Sequence, residues 1–192
     1  RPVKKGSPMP DSFAAEYLED AADHFHWLKS LADRALAQVD DRQFFHTLDP
    51  ESNSIAILAK HLAGNLRSRW TDFLTADGEK PDRNRDSEFI IEEDDTREAL
   101  TQKWEAGWLA LFTAVDPLTP EDLSRTIHIR QEPHSIPKAI NRQLAHYGYH
   151  VGQIVLLAKH MNSADWKTLS IPRGQSQTFN TDMKDKFGKA TG

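Results

Sequence analysis

Residues Gln143–Leu157 read QLAHYGYHVGQIVLL. No proline interrupts the run, and its apolar residues return with a helical rhythm. His146 and His150 stand four apart, so on a helix they share one face, with Cβ atoms roughly 5–6 Å apart. Two neutral imidazoles placed this way can grip one metal ion from one side. The bland alternative is a chance pair, since the chain has nine histidines. A third ligand elsewhere decides between them. Gly148 and Gly152 thin the same helix. A helical glycine costs about 1 kcal/mol relative to alanine, which marks both positions as places of close approach.

Working outward, Ser135 reads as the N-cap of this helix, with Pro137 in its first turn and an end near His160. At the other end of the chain, Asp11 or Ser12 reads as the cap of a first helix. There Ala14, Leu18, Ala21, Phe25, Leu28, Ala32, Ala35 and Val39 recur in steps of four and three. This heptad-like seam suits a helix packed nearly parallel or antiparallel to others. His24 and His26 lie two apart, point in different directions and read as surface. Residues 40–52 break the rhythm. Asn53 or Ser54 then caps a second helix reaching about Thr75, with an apolar stripe of Ile55, Leu58, Leu62, Leu66 and Phe73. His61 and Asn65 sit at the edge of that stripe, one turn apart.

Residues 76–93 are polar and turn-rich, a length of connection that is usually functional or a crossover. Asp95, with Glu98 three residues on, reads as the capping box of a third helix. That helix carries Leu100, Trp104, Trp108, Leu111 and Val115, and Asp116-Pro117 ends it. The two tryptophans share a face and suit core packing better than a ligand-stacking wall. Thr119-Pro120 opens a short helical turn, and Thr126–Arg130 alternates as a brief extended segment. The tail has no strong period, with Trp166, Leu169 and Ile171 as its anchors. The expected fold is all-α, a four-helix bundle with a long crossover connection and little or no sheet. Residues 11–165 form the bundle domain, 1–10 a flexible arm, and 166–192 a tail packed in part on the bundle.

The chain's 192 residues suit one domain, and its lack of cysteine excludes disulfides, thiolate zinc sites and a cysteine nucleophile. That is compatible with a reducing cytoplasm, the expected location. The net charge of −5 is spread as mixed signs, with short basic clusters only at Arg67/Arg69 and Arg83/Arg85. Neither a nucleic acid nor a membrane is the expected partner. The N-terminus RPVKKGSPMP lacks the apolar core of a signal peptide, and a start without Met reads as trimmed.

Two metal patterns are excluded. His146 is not followed by the Glu of HExxH proteases, and no Glu-x-x-His occurs, as di-iron bundles require. What remains is one mononuclear site, His61 from the second helix with His146 and His150 from the fourth. Three histidines with an open fourth position form the catalytic pattern rather than the structural one. Asn65, Gln143 and Gln153 each lie one turn from a triad member, available either to a substrate or to orient the imidazoles and bond across helices. Arg67 and Arg69 suit an anionic substrate or, more commonly, ion pairs.

At KHLAGN (60–65) and HYGYHVGQIVLL (146–157) the chain resembles the DinB/YfiT-like superfamily of metalloenzymes, over roughly residues 11–160. The resemblance implies His61, His146 and His150 as metal ligands, an up-down-down-up bundle and a homodimer. The expected cofactor is one divalent ion, zinc or nickel first and iron also suited, and the expected partner is a small-molecule substrate. Some members transfer low-molecular-weight thiols such as bacillithiol or mycothiol. The expected activity is therefore a metal-dependent thiol S-transferase or hydrolase. The alternative is a non-catalytic metal- or ligand-binding bundle acting as a dimer. NRDSEF (84–89) and SIPRGQS (170–176) also look like features of an uncharacterised branch, with no role attached.

Overall fold

The periodic stretches become helices in the computed structural model, which describes residues 11–188. Six α-helices appear among them: α1 Asp11–Leu36, α2 Asp41–Phe45, α3 Ile55–Trp70, α4 Arg97–Val115, α5 Ile136–Met161 and α6 Ser176–Phe187. Short 3-10 helices span Asp86–Phe89 and Pro120–Ser124, and strands β1 (Thr126–Ile129) and β2 (Glu132–Ser135) pair antiparallel. The four long helices are α1, α3, α4 and α5. α1 packs on α5 and α4, and α3 packs on α4 and α5, so each long helix packs mainly on two others.

The seam of α1 is buried along its whole length, from Ala14 to Ala35, and Val39 just beyond the helix is buried too. It meets the other helices through aromatic rings. Phe25 lies edge-on to Trp70 of α3, with centroids 5.7 Å apart, and 6.0 Å from Tyr147 of α5. Trp108 of α4 reaches the same tyrosine at 5.7 Å. Each long helix thus gives one ring to a shared centre. The Tyr147 hydroxyl accepts from Trp70 Nε1 at 2.9 Å and donates to Asn65 Oδ1 at 3.0 Å. This chain satisfies polar atoms that burial would otherwise leave costly. Gly107 lets α4 approach α3, because a Cβ there would stand 3.0 Å from Leu66 Cβ and 3.2 Å from the Ala63 carbonyl.

Several local expectations are corrected. α1 already contains Asp11 and Ser12, so its cap, like the arm at 1–10, lies outside the described residues. The stretch 40–52 is not all loop: Asp40 and Gln43 form a capping box that starts α2. α3 stops at Trp70 rather than near Thr75, and a turn follows with Asp72 at φ +50°. Ser54 does cap it, its hydroxyl accepting from Ile57 N–H at 3.2 Å. Thr96, not Asp95, caps α4 and accepts from Ala99 N–H. Asp95 is buried instead and pairs with Lys60 and Lys103. Desolvation makes those two cations better partners for a buried carboxylate than a helix N–H alone.

β2 was missed because EPHS is short and contains Pro133. A two-stranded hairpin has only edges, where a proline is tolerated. The hairpin turn places Arg130 at φ +55° and Gln131 at φ +65°. The Asp77 carboxylate accepts both of their N–H groups at 2.8 Å and holds the turn. Ser135 caps α5 as read, and Pro137 sits in its first turn. Trp166 and Leu169 pack against the core, whereas Ile171 is exposed. α6 buries no side chain. No helix among the described residues is long and apolar enough to cross a membrane.

Phe25→Ala should cost about 3–5 kcal/mol of unfolding free energy, read by urea denaturation. Phe187→Ala, on the exposed face of α6, should stay within about 0.5 kcal/mol. Equal effects would contradict this placing of the core.

Candidate functional site

α3 and α5 bring His61, His146 and His150 together. His146 Nε2 lies 3.4 Å from His61 Nε2 and 3.1 Å from His150 Nε2. The far nitrogens of two of the rings are spoken for. His61 Nδ1–H donates to Glu88 Oε2 at 2.8 Å, and His150 Nδ1–H donates to Gln153 Oε1 at 2.8 Å. In the neutral ring each bond leaves the Nε2 lone pair facing His146. A proton on His146 Nε2 can satisfy only one of these two acceptors. The cluster therefore presents more lone pairs than protons.

A cation resolves that imbalance. Zinc–nitrogen bonds of about 2.0–2.1 Å at tetrahedral angles set the nitrogens about 3.3–3.4 Å apart. The observed gaps of 3.4 and 3.1 Å are close to that spacing. Burial first, then His150, His61, Arg69 and Arg83 nearby, pushes His146 down to about 3. Burial leads again in lowering His150, with His61 and Arg85 adding to it against the Gln153 hydrogen bond. Both therefore favour the neutral form that a metal requires. Among the described residues no other His, Cys, Asp or Glu joins the three.

Glu88 is the part of the site that motif spacing could not supply. It comes from the 3-10 turn Asp86–Phe89 inside the long connection and is buried. Arg83 grips it with a fork, Nε to Oε1 at 2.8 Å and Nη2 to Oε2 at 2.9 Å. Burial alone would raise the Glu88 carboxyl, but the His61 and Arg83 hydrogen bonds and the Arg83 charge outweigh it and hold it below its usual value. A carboxylate behind a ligating imidazole fixes its tautomer and raises its basicity. Room for it is made at Gly64, where a Cβ would stand 2.2 Å from Glu88 Oε1. The close approach expected at Gly148 and Gly152 is not there, since a Cβ at either meets nothing within 4 Å.

Asn65 bonds across helices to Tyr147, and Gln153 orients His150. Gln143 is buried, lines the cleft in front of the histidines, and leaves its Oε1 without a partner among the described residues. That cleft has a volume of about 400 Å³. Of the arginines considered for an anion, Arg67 pairs on the surface with Asp82, and Arg69 pairs with Glu79. Arg85 and Arg142 line the cleft as well. Arg142 was open to sequence reasoning, standing one turn before His146 on the same face. The NRDSEF segment proves to hold Arg85, Glu88 and Phe89, the last packed on His61 with centroids 4.8 Å apart.

Fold and site together define a mostly helical protein with a three-histidine cluster at the floor of a cleft. Over residues 12–175 the chain matches the family described as Protein of unknown function (DUF1572), and it belongs to that family. The comparison with curated proteins returns no match. The matched span holds every residue of the cluster and its supports and stops one residue before α6.

Breaking a buried ion pair from one side leaves the other charge stranded, at about 3–5 kcal/mol. Glu88→Ala should therefore lower stability strongly in chemical denaturation, by taking the two-pronged partner from buried Arg83 and leaving it only the 3.4 Å contact to Glu79. Asp82→Ala, which removes an exposed pair, should leave stability unchanged. A neutral outcome for Glu88→Ala would remove Glu88 from the structural frame of the site.

Proposed function

We propose that the protein is a mononuclear metal-dependent enzyme of the DinB-like type, its four long helices forming a four-helix bundle with residues 76–96 in the crossover. His61, His146 and His150 hold one divalent ion, zinc or nickel first, with iron also suited. The observation that carries this reading is that the Nε2 atoms of His61 and His150 both lie within 3.4 Å of His146 Nε2, beside an open cleft. Such a set leaves a coordination position for water or substrate, which a structural site closes with a fourth protein ligand.

When bound, the ion would act as a Lewis acid and lower the pKa of a water or thiol beside it. The chain's own residues do the rest. Glu88 and Gln153 hold the His61 and His150 rings so that their lone pairs face inward. Phe89 packs on one face of His61 and limits water there. The chain contains no cysteine, so a thiol nucleophile has to arrive as a small molecule. The reaction we favour is transfer of a low-molecular-weight thiol to an electrophile, with metal-dependent hydrolysis second.

Elemental analysis of protein purified without a nickel column should find one divalent ion per chain. His61→Ala, His146→Ala or His150→Ala should abolish tight binding, while His24→Ala and His160→Ala retain it. Gly64→Ala forces the Glu88 carboxylate off His61 and should weaken binding about 10–100-fold. Full occupancy in the His146→Ala/His150→Ala double variant would place the metal elsewhere. Thiol transfer to a chlorinated aromatic acceptor, assayed before and after chelation, tests the chemistry. Turnover that survives complete metal removal would refute it.

A further inference from the structure

The cleft wall carries five guanidinium groups, from Arg69, Arg83, Arg85, Arg130 and Arg142, and no carboxylate. Two carboxylates stand behind it. Glu79 is shared by Arg69 at 2.8 Å, Arg130 at 3.2 Å and Arg83 at 3.4 Å, and Glu88 takes the Arg83 fork. Five cations therefore face two anions, and the excess falls on the arginines that reach solvent. Arg142 makes no hydrogen bond or ion pair among the described residues and is exposed. Arg85 comes only within 4.0 Å of Asp86, its guanidinium resting 4.9 Å from the centre of the Phe89 ring. Arg130 projects from a turn held in the left-handed region by Asp77. Such a backbone, at about 1–3 kcal/mol per residue, persists where surrounding contacts enforce it.

We infer that this cleft binds a small organic anion, a carboxylate or a phosphate or phosphonate, through Arg85, Arg130 and Arg142. Planar guanidiniums match both groups with paired N–H donors. Arg142 and His146 are four residues apart on α5, about 6 Å along the helix axis. The anionic group is thus held about one helical turn from the histidine cluster. A cleft of about 400 Å³ suits a small molecule, and the chain's net charge of −5 opposes a polyanion. The inference deepens the proposed metal-dependent reaction by naming its substrate class, and rests on that reading for the chemistry but not for the binding.

The test is calorimetric titration of zinc-loaded and chelator-stripped protein with phenylphosphonate, benzoate, benzyl alcohol and benzylamine. Both anions should bind and the neutral and cationic analogues should not; the tighter anion identifies the phosphoryl or the carboxylate source. Arg85→Ala and Arg142→Ala should each weaken binding roughly 10-fold, as expected for a charged hydrogen bond, with Arg142→Lys recovering part. Lys138→Ala, an exposed cation outside the cleft, should change nothing. Stripping the metal should leave arginine-dependent binding measurable. Binding that vanishes on stripping and ignores the arginines would overturn this inference while leaving the metal reading intact. Arginine-dependent binding in a protein that takes up no zinc would uphold it and sink the metal reading. Equal binding of benzyl alcohol, or no binding of either anion, would also overturn it.

Discussion

A buried carboxylate is expensive unless its hydrogen bonds and charge are both met, and Glu88 has both. Arg83 supplies the charge and a two-pronged grip, and His61 supplies a further donor. The demand runs the other way as well. Arg83 is itself almost wholly buried and without Glu88 would keep only its longer 3.4 Å contact to Glu79. The pair braces the long connection internally, and the His61–Glu88 bond fastens it onto α3, where Lys60 adds a second clamp through the Ile90 carbonyl and Asp95. Because His61 belongs to the same network, the contact that fastens the long connection also orients an imidazole. Stability of the connection and geometry of the cluster are one interaction.

The helices were legible because their signal is local and periodic. Burial from Ala14 to Ala35 repeats every three or four residues, and a helix must place such residues on one face. His146 and His150 were legible for the same reason, since four residues is one turn. Joining His61 to them took a judgement about which helices are neighbours, and the α3–α5 contact now supplies it. The ends of elements were less legible. Asp95 and Thr96 are both good caps, and only the tertiary position of Lys60 and Lys103 decides which of them turns inward. α2 and β2 are too short to show a period.

Glycine shows most clearly what a sequence alone withholds. Gly148 and Gly152 lie beside the histidines and look like the close approach, yet their Cβ positions are open. Gly64 sits three residues after His61 and looked unremarkable, yet it is where Glu88 enters. An empty Cβ position is informative only once the partner is known, and here the partner is 24 residues away in an aperiodic segment. The NRDSEF resemblance pointed at that segment but could not say which of its residues turns inward.

The arginines stand in two ranks, and the difference between the ranks is a matter of solvent. Arg69 and Arg83 are nearly excluded from water, so each needs a carboxylate within hydrogen-bonding reach. Arg85 and Arg130 keep about half of their side-chain surface exposed, and Arg142 is exposed too; water can meet their needs until a ligand replaces it. The inner rank with its two glutamates fixes the wall; in the outer rank Arg130 only shares Glu79 with the inner pair, Arg85 comes no nearer than 4.0 Å to Asp86, and Arg142 meets no carboxylate among the described residues. Lysine would serve the outer rank poorly, because its flexible ammonium lacks the planar fork. A wall that is rigid behind and only partly compensated in front is preorganised for an anion, since little ordering is left to do when the anion arrives.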